Sequence, residues 1–389
     1  MASAGLCVAV MLAGCAQFHG KPADKYVYVT AKETYLKDRI AAVSNRTGNV
    51  ENGEKLIVLE RARRYVKVKT PQGQIGWIQE KDVASQQTFD AFDALSTKHA
   101  KDPAVGNGTV RDIANLHIAP GRETEHFFLL AEGDKLQILA RATLPKAVAP
   151  GAQLAKPVAR PVVKAAIGKL KTGSTPAAEA VPALPPAMED WWLVRDAKGH
   201  TGWLLSRLME VDAPEALTRY AEGQRIVGAY VLAHVNDPES GQLRDGHPDP
   251  DIPIYVTVLS AYKAGLPYDF DQVRVFTWNL KKHRYETAFR EKNIEGYLPV
   301  VVNEAADPYG HAANSAVSLP SFTYRVLAAE APAPVPDAVT GLVAPGKTIA
   351  KTYRLEGNVT RRVLAPGSVA PAEAHPVPEA EKKGKKRKK

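Results

Sequence analysis

Residues 53–59 read GEKLIVL and residues 133–139 read GDKLQIL, and the fold follows from this repeated segment. Each copy continues with an aromatic-led run and then a Gly-Trp-aliphatic element, whose glycine comes eleven positions after the first aromatic residue. These elements are YVKV at 65–68 and IGWI at 75–78 in the first copy, and WWLV at 191–194 and TGWL at 201–204 in the second. Short apolar-rich runs with alternation, separated by glycine and polar turns, predict β-strands that bury one face. The chain therefore contains two copies of one small β module.

The order of these elements resembles the bacterial SH3 (SH3b) domain. The resemblance covers residues 26–84, called module 1 below, and residues 109–211, called module 2. It implies a small five-stranded, partly open barrel for each module. The expected fold class is therefore mainly β, with two SH3-like partly open barrels followed by a C-terminal antiparallel β domain.

Aromatic residues of the modules are the first candidates for core and for ligand contact. Trp77 and Trp203 follow a glycine that permits a tight backbone approach at a barrel corner, and we expect both to be structural core residues. Trp191 and Trp192 are adjacent in one strand, so their side chains point to opposite faces. We therefore expect one of them to face solvent, and Trp191, Trp192 and Tyr65 are the candidate ligand-binding residues.

The N-terminus has the pattern of an export signal. Residues 5–16, GLCVAVMLAGCA, form a short apolar stretch that ends in small residues. Its LAGC segment resembles the lipobox of bacterial lipoproteins, although no Lys or Arg precedes it. The resemblance implies a signal peptide at 1–14, lipidation of Cys15, and a membrane-anchored protein that faces the periplasm. Ala16 after the cysteine favours the outer membrane under the enteric sorting rule. Cys7 is the only other cysteine, so the mature chain would have no cysteine nucleophile.

Several segments between and after the modules have the composition of linkers. We expect a helical linker at 85–108 and a disordered Pro/Ala/Lys-rich insert at about 143–188. A disordered Pro/Ala-rich tail is expected at 329–389, ending in a basic cluster. That cluster contains Lys385, Lys386, Arg387, Lys388 and Lys389.

The charge distribution argues against nucleic acid as a partner. The last eight residues carry seven positive charges, which leaves the other 381 residues with +2 of the total net charge of +9. Anionic lipid or an acidic surface glycan is the candidate partner for the basic cluster. The alternative is a solvated tail with no dedicated partner.

Residues 219–328 are expected to form the C-terminal β domain, with five or six antiparallel strands. This region is similar to domains that follow SH3 modules in acidobacterial-type lipoproteins. It contains a cluster of acidic residues and histidines, of which His247, Asp249 and Asp251 are weak candidates for a metal site. The alternative is a solvated acidic turn, because the EF-hand spacing is absent.

The sequence leaves three functional hypotheses open. The first is a non-enzymatic, lipid-anchored envelope scaffold whose modules contact peptidoglycan, the ligand class that the SH3b resemblance implies. The second is an adaptor that recruits envelope proteins through the modules and the proline-rich segments. The third is a metal- or carboxylate-dependent hydrolase within residues 219–328. No cofactor is expected, since a P-loop, a dinucleotide fingerprint and a serine nucleophile elbow are all missing from the sequence.

Overall fold

The computed structural model describes residues 25–147, 186–244, 246–306 and 318–376. Cys15, the basic cluster, Asp245 and most of the predicted insert lie outside these residues. The described part of the chain contains three seven-stranded antiparallel sheets, which confirms the predicted mainly β fold. Each module has seven strands rather than the five that the SH3b resemblance implies. None of its helices is long and apolar enough to cross a membrane.

The first compact unit, Met1–Asp90, contains the sheet of module 1. Its strands are β1 (Tyr26–Val29), β2 (Glu33–Lys37), β3 (Arg46–Glu51), β4 (Lys55–Ala62), β5 (Tyr65–Lys69), β6 (Ile75–Gln79) and β7 (Val83–Ser85). They are arranged in the order β3-β2-β6-β5-β4-β1-β7. Alternate residues point inward and form a core of Val27, Val29, Leu36, Val50, Leu56, Val66, Val68 and Ile78.

The second compact unit, Ala91–Lys389, begins with the sheet of module 2. Its strands are β8 (Gly106–Val110), β9 (Ala114–His117), β10 (His126–Leu130), β11 (Lys135–Pro145), β12 (Met188–Asp196), β13 (Thr201–Leu205) and β14 (Met209–Val211). Their order is β10-β9-β13-β12-β11-β8-β14. Adding seven to each strand number of the first sheet gives this order, so the internal repeat of the sequence is also a repeat of topology.

The glycine of each Gly-Trp element lies where two strands approach closely. A Cβ atom at Gly76 would come within 2.7 Å of Leu36 Cβ, and one at Gly202 would come within 2.7 Å of Leu116 Cβ. A side chain at either position would force neighbouring atoms to move. This confirms the role predicted for the two glycines.

A helix, α1 (Gln86–His99), follows module 1, as the linker composition predicts. Ser85 precedes it, and the Ser85 hydroxyl accepts a hydrogen bond from the backbone N–H of Thr88 at 3.0 Å. This bond satisfies a backbone donor of the first turn, which has no partner within the helix. A second helix of one turn, α2 (Glu215–Thr218), follows module 2.

The rest of the second unit is built on a third sheet, called the C-terminal sheet below. Its strands are β15 (Arg225–Asn236), β18 (Asp251–Ser260), β19 (Phe270–Asn279), β20 (Arg284–Ala305), β21 (Leu319–Leu327), β22 (Thr348–Glu356) and β23 (Val359–Arg362), in this order across the sheet. A two-stranded ladder lies in the loop after β15 and consists of β16 (Leu243–Arg244) and β17 (His247–Pro248).

The C-terminal sheet extends beyond residue 328, where the sequence predicts a disordered tail. Strands β22 and β23 complete the sheet, so the prediction is wrong for this part of the tail. Lys351 of β22 is 1% exposed and forms ion pairs with Glu291 and with Glu373, the latter at 2.7 Å. Burial raises the pKa of Glu291, but hydrogen bonds from Lys351 and Tyr324 bring it below its usual value. A buried charge network therefore stabilises the sheet where a mobile tail is expected.

A second buried network joins module 2 to the C-terminal sheet within the same unit. Arg141 of β11 donates from Nε to Asp269 at 2.7 Å, and from Nη2 to the carbonyl oxygens of Leu266 and Tyr268 at 3.0 Å each. Its Nη1 lies 3.7 Å from the buried carboxylate of Asp190. Since the guanidinium is almost fully buried, the two parts of the unit are held together by a cation with fixed partners.

Candidate functional site

The outward face of the module 1 sheet is the candidate site. Strand β5 alternates between Val66 and Val68, which are buried, and Lys67, which points outward. Strand β6 places Trp77 on the same outward side, directly opposite Lys67. Because residues opposite each other in neighbouring strands share a face, the outward residues of β2, β4, β5 and β6 form one surface. This surface, called the aromatic–lysine face, consists of Tyr35, Lys37, Ile57, Tyr65, Lys67, Lys69, Ile75 and Trp77.

Trp77 lies at the centre of the aromatic–lysine face. Lys67 flanks it from β5, with Nζ 5.7 Å from the centroid of the indole ring. Lys37 pairs with Trp77 from β2 on the other side. Trp77 is half-buried rather than a core residue, so the prediction of a buried structural role is wrong for this tryptophan. The side chain of Trp77 lies on the outward face between Lys37 and Lys67 of the two neighbouring strands.

Tyr35 extends the aromatic–lysine face along β2. Tyr35 is 37% exposed, and its ring lies under the guanidinium of Arg46, which is 4.2 Å from the ring centroid. Lys37 Nζ lies 5.8 Å from the same ring. Rings flanked by cations are attracted to them electrostatically, and the cations remain available to an anion that approaches from solvent.

Two isoleucines lie on either side of Lys69 on this face, Ile57 in β4 and Ile75 in β6. Ile57 pairs with Lys69, and Lys69 pairs with Ile75 across the next strand. Ile57 is 40% exposed and Ile75 is 46% exposed. Two exposed isoleucines beside an exposed lysine form an amphipathic surface.

Module 2 has buried residues where module 1 has the aromatic–lysine face. Trp191, Leu193 and Trp203 occupy the positions of Tyr65, Lys67 and Trp77. Their exposed fractions are 2% for Trp191, 2% for Leu193 and 7% for Trp203. Leu95 of α1 and Leu208 pack against this cluster. The repeat therefore has one open copy of the face and one covered copy.

This arrangement corrects the sequence-based choice of ligand-contacting tryptophans. Trp191 and Trp192 do point to opposite faces, but both are buried, because Trp192 is only 4% exposed on the side of Leu204. Neither presents an open ring to solvent. Trp203 is buried as predicted, and Tyr65 is half-buried on the aromatic–lysine face.

A half-buried histidine accompanies the covered face of module 2. His117 of β9 pairs with Trp203, and its ring contacts Trp191 edge-on at 5.2 Å between centroids. Burial lowers the pKa of His117, and the neighbouring His126 lowers it further. The imidazole ring therefore belongs to the packing of this face.

The acidic loop of the C-terminal region does not gather its predicted metal candidates. Asp251 Oδ2 lies 2.8 Å from His234 Nδ1, and Asp249 forms an ion pair with Arg244 at 2.8 Å. His247 lies in β17, opposite Arg244. Among the described residues, no group of three or more His, Cys, Asp or Glu side chains converges as a metal site would require. Each carboxylate interacts with a separate neighbour.

Asp237, near this loop, serves a structural purpose. Its Oδ2 accepts a hydrogen bond from Trp278 Nε1 at 2.6 Å and lies 2.7 Å from His283 Nδ1. The bond from Trp278, followed by the contact with His283, lowers the pKa of Asp237. The carboxylate links the loop to the hairpin of β19 and β20.

Sequence reasoning missed the lysines and isoleucines of the aromatic–lysine face. A signal was present in the two aromatic-led strands, YVKVK in module 1 and WWLVR in module 2. The first alternates and predicts a strand with one open face, whereas the second is apolar on both faces and predicts burial on both. Comparison of the copies would have identified the open face.

The chain was also compared with known proteins. No family model matches it, and neither does any curated protein. Two solved structures are similar at 10% identity, NlpC2 from Trichomonas vaginalis and an NlpC/P60 family protein from Bacillus cereus ATCC 10987. The first match covers 51% of this chain and 54% of NlpC2, about half its length, at a TM-score of 0.14. The second covers 67% of this chain and 98% of the other, at a TM-score of 0.20. Such low scores carry no argument about function.

Proposed function

We propose that this chain is a non-enzymatic binding protein of the bacterial cell envelope, in which the aromatic–lysine face of module 1 contacts peptidoglycan. The observation that carries the proposal is the contrast between the two copies of the repeat. Trp77 is half-buried and the Lys67 side chain is 38% exposed in module 1, whereas Trp203 and Leu193 are buried in module 2. Both modules have the same topology, but this face is covered in module 2, so only the face of module 1 is available for a ligand.

The composition of the face favours this polymer. Peptidoglycan consists of sugar rings and peptides that carry free carboxylates. An indole or phenol ring offers a flat apolar surface to a sugar, and a lysine ammonium pairs with a carboxylate. The aromatic–lysine face places both groups within a few ångströms of each other, as at Lys67 and Trp77.

The remaining parts of the proposal come from the sequence. Lipidation of Cys15 would anchor the protein to the membrane, with module 1 facing the periplasm. Ala16, which follows the cysteine, favours the outer membrane. Metabolic labelling with a palmitate analogue tests this step, and a Cys15→Ser variant should lose the label. Label retained by that variant would contradict the anchor.

Co-sedimentation with purified peptidoglycan sacculi tests the binding function. The Cys15→Ser chain, freed of its lipid, should pellet with sacculi in a saturable manner at moderate salt. Trp77→Ala and Lys67→Gln should each weaken binding, the tryptophan variant by about tenfold or more. Removing the last eight residues should leave saturable binding in place, because the proposed contact lies on module 1 and salt screens nonspecific attraction between the basic cluster and the wall.

Two exposed residues of module 2 provide matched controls. Lys135→Gln removes a lysine that is 70% exposed, and Ile113→Ala removes an apolar side chain that is 57% exposed. Both variants should bind like the unmodified chain. If all four variants bind alike, the aromatic–lysine face is not the contact surface. If the unmodified chain stays in the supernatant, wall binding is excluded and the adaptor hypothesis takes its place.

A further inference from the structure

A cleft of about 490 Å³ lies within the second unit, between module 2 and the C-terminal sheet. Residues of β14, of the 3-10 turn Ser206–Leu208 and of β15 line it. Its volume lies within the range of about 300–1,000 Å³ that is usual for small-molecule sites. The cleft is separate from the aromatic–lysine face and has no role in the function proposed above.

The inner wall of the cleft is apolar. Trp192 is 4% exposed, Met209 5% and Val227 2%, and Ile226 lies beside them. Trp192, a candidate ligand contact on sequence grounds, therefore lines a concave surface and does not lie on an exposed flat one. A ligand that enters the cleft must place an apolar group against these side chains.

The rim of the cleft is cationic. Arg111 Nε lies 3.3 Å from Glu210, and Arg225 Nη2 lies 3.4 Å from the buried Asp190. The buried Nε of Arg225 has no hydrogen-bond partner among the described residues. Arg207 is exposed and forms no ion pair with any carboxylate in that same part of the chain. Glu210 and Asp190 offset Arg111 and Arg225, so the charge of Arg207 is the one in the lining that favours an anion.

We propose that this cleft binds an organic carboxylate, with its apolar group against Trp192 and Met209 and its charge at Arg207 and Arg225. The planar guanidinium matches a carboxylate with two parallel hydrogen bonds, which a neutral ligand cannot accept in that way. An inorganic anion would leave the apolar wall uncovered, and a cation would be repelled by the rim. The shared chemistry is a carboxylate next to a branched apolar group, found at a peptide C-terminus or in a free carboxylic acid.

Titration calorimetry on the full chain tests the proposal with three probes. N-acetyl-leucine has an amino-acid carboxylate, 4-methylpentanoate has the carboxylate and the same branched group without the amide, and N-acetyl-leucinamide is the neutral match. We expect saturable binding of at least one carboxylate with a dissociation constant on the order of 1 mM or lower. The amide should bind at least about tenfold more weakly. Tighter binding of N-acetyl-leucine identifies a peptide terminus as the ligand, and tighter binding of 4-methylpentanoate identifies a free acid.

Substitutions locate the binding to this cleft. Arg207→Gln should weaken carboxylate binding by about tenfold or more, and Arg207→Lys should weaken it less because the charge remains. Arg207 is exposed, so neither substitution disturbs the core. Arg284→Gln is the matched control, since Arg284 is 60% exposed and pairs with Glu286 away from the cleft. Absence of saturable binding, equal binding of the amide, or unchanged binding by Arg207→Gln would each overturn the proposal.

Discussion

Replacing Arg141 with methionine tests whether a buried cation holds module 2 to the C-terminal sheet. Methionine keeps much of the aliphatic volume of arginine but removes the guanidinium. Asp269 then loses a hydrogen bond of 2.7 Å, and the carbonyl oxygens of Leu266 and Tyr268 lose bonds of 3.0 Å. We expect the second unit to lose stability because these polar groups stay buried without their donor.

The structure sets the expected size of this effect. Removing one partner of a buried ion pair costs about 3–5 kcal/mol. The lower value applies because Asp190 still accepts hydrogen bonds from Arg225 at 3.4 Å and from the backbone N–H of Gly265 at 3.0 Å. Asp269 likewise keeps the backbone N–H of Leu298 at 2.9 Å. A loss of about 3 kcal/mol lowers Tm by about 6–12 °C for a unit of this size.

The repeat provides a matched control in module 1. Arg61 occupies the position of Arg141, opposite Val66 rather than Trp192, but it is 36% exposed and its guanidinium contacts Glu80 at 3.3 Å. Arg61→Met should change stability by less than about 1 kcal/mol. Differential scanning calorimetry of both variants compares the two positions directly. An Arg141→Met chain that melts like the unmodified chain, or a drop of equal size in both variants, would refute the reasoning.

Three further predictions concern the second unit. Lys351→Met should lower the free energy of unfolding by about 3–5 kcal/mol, because two carboxylates lose their buried cation; an unchanged urea midpoint would contradict this. Gly202→Ala should cost about 1–3 kcal/mol, since its Cβ would lie 2.7 Å from Leu116 Cβ. Gly346→Ala, with nothing within 4 Å, is the control and should be neutral by the same urea titration. Because burial holds the pKa of His117 below the ordinary histidine value of about 6.5, the unfolded chain binds a proton there first, and stability should fall as the pH drops below about 7.5. His117→Asn should flatten that slope, and equal slopes for both chains would show that this histidine is not responsible.

The modules were predictable because their information is local. Turn glycines, alternating strands and a Gly-Trp element repeat in the same order, and the structure places them in sheets of one topology. The close approach at Gly76 and Gly202 also follows from neighbouring residues. Local patterns of this kind determine which residues form strands and which face of each strand points inward.

The segment that covers Trp191 was harder to predict because it is distant in sequence. Leu95, about a hundred residues earlier, packs against the cluster that contains it, and no periodicity within β12 indicates which segment covers its outer face. Strand β22 was missed for a related reason. Proline and alanine on both sides give residues 348–356 the composition of a tail, but pairing with β21 and the ion pairs of Lys351 order them.

The contrast between an open face in module 1 and a covered face in module 2 has a consequence for how such a protein diverges. Substitutions on the covered face are constrained by packing partners elsewhere in the chain, so most of them are removed by selection for folding. Substitutions at Lys67 or Ile75 meet mainly solvent and leave the core of Val66, Val68 and Ile78 intact. The open copy can therefore accept substitutions on its exposed face at little cost to stability, while the covered copy preserves the framework.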